Sequence, residues 1–190
     1  HPGLFRVHEG PTADKKDFLR NYLKALGLGI SISDDPHTSE FQKIAQATKD
    51  RPDAQQIHTM LLRSMQQAIY TPVNSGHFGL AYEAYTHFTS PIRRYPDLLV
   101  HRVIKSILLG RKYTLPSLPV PGEAHAKLSK RLEKSRAAKG DSPESQAPRV
   151  RMSAADQRAW EAAGLHCSAN ERRADEASRD VEAWLKCKYM

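Results

Sequence analysis

The chain has 190 residues, of which 39% are apolar and 26% charged, and its formal net charge is +8 at pH 7. This composition suits one domain with a hydrophobic core, or part of a larger domain, and excludes disordered, collagen-like and disulfide-framework proteins, since only two residues are cysteines. The longest stretch without Asp, Glu, Lys or Arg, residues 64–82, contains Pro72 and Gly76, which excludes a membrane-spanning helix there.

Hydrophobic periodicity predicts three amphipathic helices after a short extended segment over residues 4–10. The first spans residues 14–26 and stops at Gly27, the second is capped by Thr38 and Ser39, and the third starts near Pro52. Their apolar faces are formed by Phe18, Leu19, Tyr22, Leu23 and Leu26; by Phe41, Ile44, Ala45 and Thr48; and by Ile57, Met60, Leu61, Met65 and Ala68.

A strand that runs directly into a long helix is predicted next. Residues 78–89 alternate between apolar and polar, as in a half-buried strand. Ser90 is a good N-cap and Pro91 suits the first helical position, so a helix would follow and end at Gly110. Pro96 would either bend this helix or delay its regular part to Asp97. Its core face would be formed by Leu98, Leu99, Val103, Ile104, Ile107 and Leu108.

The rest of the chain is predicted to hold an insertion and two helices. Prolines and glycines indicate a flexible insertion at about 112–152, with a basic helix over about 123–137 and a connection over 140–150. A short helix capped by Ser153 would stop at Gly164, and a capping box at Ser168 would open a closing helix. The inward face of that helix would be formed by Ala174, Ala177, Val181, Trp184 and Leu185.

The positive charge is concentrated in one part of the chain. Residues 1–86 carry nine basic and nine acidic side chains, whereas residues 87–113 have a net charge of +5, residues 114–151 of +4 and residues 152–190 of −1. Such a surplus suits a polyanion-binding surface, because phosphates that bind there release condensed counterions. A solvated basic surface explains the charge alone equally well.

The predicted helix start gives this charge a specific context. Free backbone N–H groups and the positive dipole end of a helix at Ser90 would attract an anion, and Arg93 and Arg94 fall in the same first turn. Arginine binds phosphate through paired hydrogen bonds, and nearby aromatic rings could stack on bases or riboses. A structural alternative stays open, in which Arg93 pairs with Asp97 and Arg94 lies on a solvated helix face.

The segment from His87 to Arg102, HFTSPIRRYPDLLVHR, resembles the signature of the RNase II/RNase R family of 3′→5′ exoribonucleases, in their RNB catalytic domain. Blocks at residues 5–11, 77–85 and 167–186 are similar to flanking family segments. The stretch from Arg94 to Pro96 is more similar to the RNase R type than to the RNase II type. Residues of about 112–152 match no family block and would be a family-variable insertion.

The resemblance implies a fold and a chemistry. Residues 1–190 would be the C-terminal part of an RNB catalytic domain, with a helix-rich mixed α/β (α+β) fold and a few strands. The parent protein would hydrolyse RNA processively from its 3′ end to nucleoside 5′-monophosphates, assisted by divalent ions, usually Mg²⁺. Arg93 would be catalytic, since it matches the family arginine that contacts the scissile phosphate. The expected RNA-binding residues are Tyr85, His87, Thr89, Ser90, Arg94 and Tyr95.

The metal-binding aspartates of the family have no counterpart in this sequence. They belong to a motif that would precede His1, so we expect no metal site in this chain, and we expect the chain alone to be inactive. The chain starts without Met, which suggests a piece of a longer protein.

The expected partners are the 3′ end of single-stranded RNA, the remaining domains of the parent protein, and ribosomes or RNA-quality-control factors. No membrane partner is expected, and the expected location is the bacterial cytoplasm. An alternative function is a non-catalytic RNA-binding module that uses the basic residues 87–151. In a third interpretation, residues 123–151 contact ribosomal RNA or a protein partner.

Overall fold

A computed structural model describes residues 2–116, 118 and 153–189 of the chain. Its regular elements are, in chain order, β1 (Phe5–Val7), α1 (Ala13–Ala25), α2 (Thr38–Ala47), α3 (Ala54–Ser64), β2 (Ile69–Thr71), a 3₁₀ helix (Phe78–Leu80), α4 (Tyr95–Leu108) and α5 (Ala154–Tyr189). The two short strands form a two-stranded sheet. The predicted helix-rich α+β class is therefore confirmed.

The chain divides into two compact units. The first unit comprises His1–Phe5, Ile69–Asn74 and Thr86–Met190, and the second unit comprises Arg6–Ala68 and Ser75–Tyr85. Each unit has a hydrophobic core of its own.

The core of the second unit is formed by α1, α2 and α3. Their buried apolar side chains recur at helical spacing, and α1 ends just before Gly27, whose φ of +68° is the left-handed conformation that terminates helices. Helix α2 begins behind His37 rather than behind the predicted Thr38–Ser39 cap, because the Glu40 carboxylate accepts a hydrogen bond from the His37 amide (3.1 Å). The buried residues of this core are Leu19, Leu23, Ile32, Phe41, Ile44, Ile57 and Leu61.

The core of the first unit is formed by α4, α5 and β2. Gly164 lies against the backbone of Tyr70 in β2, where an added Cβ would be 2.5 Å from the Tyr70 carbonyl oxygen. One turn later, the Ser168 hydroxyl accepts a hydrogen bond from the Tyr70 amide (2.9 Å) and donates one to the Gly164 carbonyl (2.8 Å). Burial raises the pKa of the Cys167 thiol to about 12, in keeping with a place in the core. The buried residues here are Leu4, Tyr70, Leu99, Val103, Trp160, Ala163 and Cys167.

The two predicted C-terminal helices are one continuous helix, α5. Gly164 does not stop it, because the missing side chain serves the close approach of β2 instead. Ser168 does not cap a new helix, because its hydroxyl is bonded to Gly164 and Tyr70. The inward orientation predicted for the later residues is wrong within the described chain, since Val181, Trp184 and Leu185 are exposed.

The predicted strand over residues 78–89 is also absent. Phe78–Leu80 form a 3₁₀ helix, and Ala81 adopts a left-handed φ of 55°, so the backbone folds back and His77 pairs with Tyr82 (N to O, 2.8 Å). The alternating pattern therefore does not mark one buried face. Phe78 packs edge-on against Phe41 (5.5 Å between ring centroids), whereas Leu80 and Tyr82 are exposed.

Fewer side chains of the predicted apolar face of α4 are buried than expected. Leu99 and Val103 are buried, whereas Ile104, Ile107 and Leu108 are exposed. The predicted basic helix at 123–137 and the connection at 140–150 lie outside the described residues. None of the described helices combines the length and the apolar character that crossing a bilayer requires.

Candidate catalytic site

A tight turn, rather than the start of a helix, carries the two arginines. The Ser90 carbonyl accepts hydrogen bonds from the amides of Arg93 (3.2 Å) and Arg94 (3.0 Å), and α4 begins only at Tyr95. The predicted cap at Ser90 is therefore wrong. Pro96 sets the helix start instead, because proline suits the first helical turn, where its missing N–H is no loss. The amides of both arginines, which were expected to attract a phosphate, are engaged within the turn.

The buried carboxylate of Asp97 holds this turn from the helix side. Its Oδ2 accepts hydrogen bonds from the Ser90 amide (2.7 Å) and from Nη2 of Arg94 (2.9 Å). The same Nη2 lies 3.4 Å from Oγ1 of Thr89. Thr89, Ser90, Arg94 and Asp97 thus form one hydrogen-bonded group, which we call the Asp97 clasp.

Arg93 has a different environment from its neighbour Arg94. Its side chain is exposed, and it makes no hydrogen bond or ion pair with the residues that the structure describes. The alternative pairing of Arg93 with Asp97 is replaced by an ion pair between Arg94 and Asp97. Two cavities, one between α1 and α3 and one along α5, are not lined by Arg93. The turn therefore fixes the Arg93 backbone and leaves the guanidinium available to an anion.

His87 and Tyr95 lie in the same unit but make separate contacts. The Tyr70 hydroxyl is 2.8 Å from Nδ1 of His87, and the two rings meet edge-on. Tyr95 packs against the core of the first unit, and its hydroxyl interacts electrostatically with the nearby Arg102 guanidinium. Burial, followed by the neighbouring Tyr113, raises the pKa of Tyr95. Stacking of RNA on these two rings stays a prediction.

Tyr85 lies in the second unit, within a group of four rings that we call the histidine–tyrosine cluster (His8, His77, Tyr82 and Tyr85). The His8 and His77 rings are stacked with centroids 5.0 Å apart, and Tyr85 meets His77 edge-on at 5.2 Å. The Tyr82 ring is 6.0 Å from that of Tyr85 and is exposed to solvent. A role of Tyr85 in RNA binding stays a prediction.

Backbone amides fix the two imidazoles of this cluster. The Gly79 amide donates to Nδ1 of His8 (2.9 Å), and the Leu80 amide donates to Nδ1 of His77 (3.2 Å). Burial lowers the pKa of His77, and the nearby His8 and Arg6 lower it further. The pairing of the two histidines could not be predicted from the sequence, because they are far apart along the chain.

The described residues do not fit a magnesium site. Within residues 2–116, 118 and 153–189, no three His, Cys, Asp or Glu side chains come together as metal ligands. Asp97, the acid that lies beside the arginines, is buried and accepts two hydrogen bonds through Oδ2. Mg²⁺ prefers six oxygen ligands, several of them waters, so no residue described here is assigned to it.

The structure brings together part of the predicted set. Thr89, Ser90, Arg93 and Arg94 share one turn, whereas His87, Tyr95 and Tyr85 make the separate contacts given above. Asp97 was predicted from the sequence only as an alternative partner of Arg93, and not as a residue of this site. A signal was present, since Asp97 is the single acid among six basic residues in the stretch 87–113.

Comparison with known proteins extends the resemblance. The RNB domain family matches residues 1–110. Ribonuclease R of Escherichia coli K12 is 41% identical over 189 residues, which are 100% of this chain and 20% of that protein. The chain thus spans about a fifth of the length of this relative.

Two solved structures are similar to this chain. RNase R of Mycoplasma genitalium, in complex with ribose-methylated single-stranded RNA, is 29% identical and covers 70% of this chain and 20% of its own, with a TM-score of 0.54. Yeast Ssd1, a pseudonuclease, is 30% identical and covers 60% of this chain and 14% of its own, with a TM-score of 0.51. Because the RNB match spans more than half of the residues and contains the whole signature from His87 to Arg102, this chain belongs to the RNB domain family.

Proposed function

We propose that the protein containing this chain is a processive 3′→5′ exoribonuclease that hydrolyses single-stranded RNA to nucleoside 5′-monophosphates. The observation that carries the proposal is the exposed guanidinium of Arg93 on a fixed turn, inside the RNB-family signature. The similar Mycoplasma RNase R was solved with single-stranded RNA. Mg²⁺ would be held by residues outside this chain. Ribosomes, RNA-quality-control factors and a cytoplasmic site of action also stay predictions.

The chemical role of Arg93 follows from its position. A guanidinium can donate two parallel hydrogen bonds to phosphate oxygens, on which negative charge grows as the phosphodiester is attacked. The Ser90 carbonyl fixes the amide of Arg93, so the residue starts from a defined backbone position. Because its side chain is exposed here, this role requires another part of the parent protein to face Arg93 and close a cleft over it.

The test is Arg93→Ala in the full-length protein. We expect turnover of single-stranded RNA to fall roughly 10²–10³-fold, as for loss of a charge-stabilising donor. Thermal stability should be unchanged, because the Arg93 side chain has no hydrogen-bond or ion-pair partner among the described residues, and alanine keeps the backbone amide that bonds to Ser90. Arg179→Ala, in the exposed C-terminal part of α5, is the matched control and should leave turnover unchanged. Near-normal turnover of folded Arg93→Ala protein would contradict the role of Arg93, and a full-length protein that releases no 5′-monophosphates would contradict the proposed function.

A second candidate function is a non-catalytic RNA-binding module. The likeness to yeast Ssd1, a pseudonuclease, favours this candidate, and the basic residues 87–151 would supply the binding charge. Full-length protein would then bind RNA with a steep salt dependence and release no mononucleotides in the presence of Mg²⁺. Release of 5′-monophosphates would exclude it.

A further inference from the structure

We infer that Asp97 is a positioning residue for Arg93: its buried carboxylate clamps the turn from Thr89 to Arg94 so that the Arg93 guanidinium is presented to an RNA phosphate. The inference rests on the proposed function, because it assigns Asp97 a role only through Arg93. It extends that function to a side chain that is itself buried and does not touch the RNA.

One oxygen of Asp97 joins the two ends of the turn. Oδ2 lies 2.7 Å from the Ser90 amide, at the start of the turn, and 2.9 Å from Nη2 of Arg94, at its end. The Ser90 carbonyl in turn accepts the amides of Arg93 (3.2 Å) and Arg94 (3.0 Å). Arg93 therefore lies between two points that are both tied to the same carboxylate.

The burial of this carboxylate has an energetic cost. Asp97 is fully buried, yet neither its Oδ1 nor Nε of Arg94 has a hydrogen-bond partner among the described residues. Buried, incompletely paired charges disfavour folding, and an apolar side chain of similar size is often the more stable choice. A carboxylate at this place is therefore better explained by the geometry that it imposes on the turn than by stability.

The clasp also separates the roles of the two arginines. Its ion pair engages Arg94 with Asp97, so Arg93 is the arginine of this turn whose charge faces outward. If the clasp opened, Arg94 would be released from Asp97. The turn that contains Arg93 would then no longer be held by this carboxylate, and the Arg93 backbone could shift. A displacement of about 1 Å in a reacting group can lower a rate about 10²-fold.

A simpler role for Asp97 is to stabilise α4. An acid in the first helical turn interacts favourably with the helix dipole, and loss of that interaction would lower stability without changing turnover of the folded enzyme. The experiment must therefore separate a loss of stability from a loss of Arg93 geometry.

The variant to test is Asp97→Asn in the full-length protein, which keeps the shape and an oxygen for the Ser90 amide but removes the charge that holds Arg94. We expect turnover of single-stranded RNA to fall roughly ten- to a hundredfold. Val103→Ala, at a buried position of the same helix, is the matched control. It should lower the melting temperature and leave turnover unchanged below it.

Combination with Arg93→Ala gives the decisive measurement. If Asp97 acts through Arg93, the double variant will be no slower than Arg93→Ala alone, because the group being positioned is already absent. Multiplied losses in the double variant, or normal turnover of Asp97→Asn while Arg93→Ala is slow, would overturn the inference and leave the proposed function standing. Normal turnover of Arg93→Ala would overturn the inference as well, because no role of Arg93 would remain to be positioned, whereas absence of mononucleotide release by the unmodified full-length protein would refute the proposed function itself. Should Asp97→Asn fail to fold, Arg94→Gln opens the same clasp. Turnover of Arg94→Gln, of Arg93→Ala and of the double variant then tests the inference in the same way.

Discussion

At the residue scale, adjacent side chains of the same type have separate tasks. Arg94 is half-buried and paired with Asp97, whereas Arg93 is exposed. The difference arises because the turn at Ser90 directs two successive residues to opposite environments: one towards the buried carboxylate, the other towards solvent. Charge counting along the chain treats both arginines alike, and their environments distinguish them.

The stacked histidines of the second unit make its stability sensitive to pH. The pKa of His77 is lowered from its ordinary value of 6.5, so the unfolded chain takes up a proton at a higher pH than the folded chain does. Stability should therefore be full above about pH 6.5 and fall as the pH drops towards the lowered pKa of His77. Protonation of His77 would also place a positive charge beside His8. If the proton binds Nδ1, this atom can no longer accept the hydrogen bond from the Leu80 amide.

Denaturation curves of the parent chain and of His77→Asn at about pH 7.5, about pH 6 and about pH 5 would measure this effect. Asparagine has an acceptor oxygen close to the place of Nδ1 but does not titrate. The variant should lose less stability on acidification than the parent chain. An equal loss in both proteins would show that the pH dependence comes from other groups.

At the element scale, α5 is joined to β2 by a close backbone approach. Gly164 and Ser168 lie one turn apart on the helix and both meet Tyr70, the glycine by contact and the serine by a hydrogen bond. This contact explains why a residue that usually ends helices lies inside one. It also ties the register of α5 to that of the strand.

Gly164→Ala tests this contact. In an exposed helix interior, the change from glycine to alanine stabilises by about 1 kcal/mol. Here the new Cβ would lie 2.5 Å from the Tyr70 carbonyl oxygen, so overpacking should win and the free energy of unfolding should fall by about 1–3 kcal/mol. Chemical denaturation of the full chain measures the difference.

Gly29→Ala is the matched control for this prediction, because a Cβ at Gly29 meets nothing within 4 Å. Its effect on the free energy of unfolding should stay within about 0.5 kcal/mol. A Gly164→Ala chain as stable as the control would show that β2 can move away from α5 at little cost.

At the scale of the whole molecule, the chain holds an arginine suited to phosphate and, among its described residues, no group of metal ligands. Because the family resemblance implies metal-binding aspartates that have no counterpart in this sequence, we predict that the 190-residue chain alone releases no mononucleotides from single-stranded RNA with Mg²⁺, whereas the full-length protein does. A gel assay of both proteins under the same conditions measures this. Robust release by the chain alone would mean that it contains a complete catalytic site.

Much of the architecture could be predicted from local pattern. Periodic apolar residues located α1, α2, α3 and α4 to within a few residues, and Gly27 correctly marked the end of the first helix. The family relationship was also predictable, since the signature from His87 to Arg102 is contiguous. These features depend on residues that are close together along the chain, so they can be predicted from the sequence.

Tertiary contacts decided the rest. The apolar alternation at residues 78–89 indicated a strand, but the pairing of His77 with Tyr82 and the left-handed Ala81 bend the backbone there. In the sequence, Gly164 resembles a helix stop and Ser168 a helix N-cap. In the fold both residues contact Tyr70 from within one continuous helix. Likewise, the sequence by itself determined that two arginines follow Ser90 and Pro91, and only the folded structure decided which of them is available. The physical reason is that a buried carboxylate such as that of Asp97 is stabilised by a nearby positive charge, and the described turn brings Arg94, rather than Arg93, within hydrogen-bond distance of it.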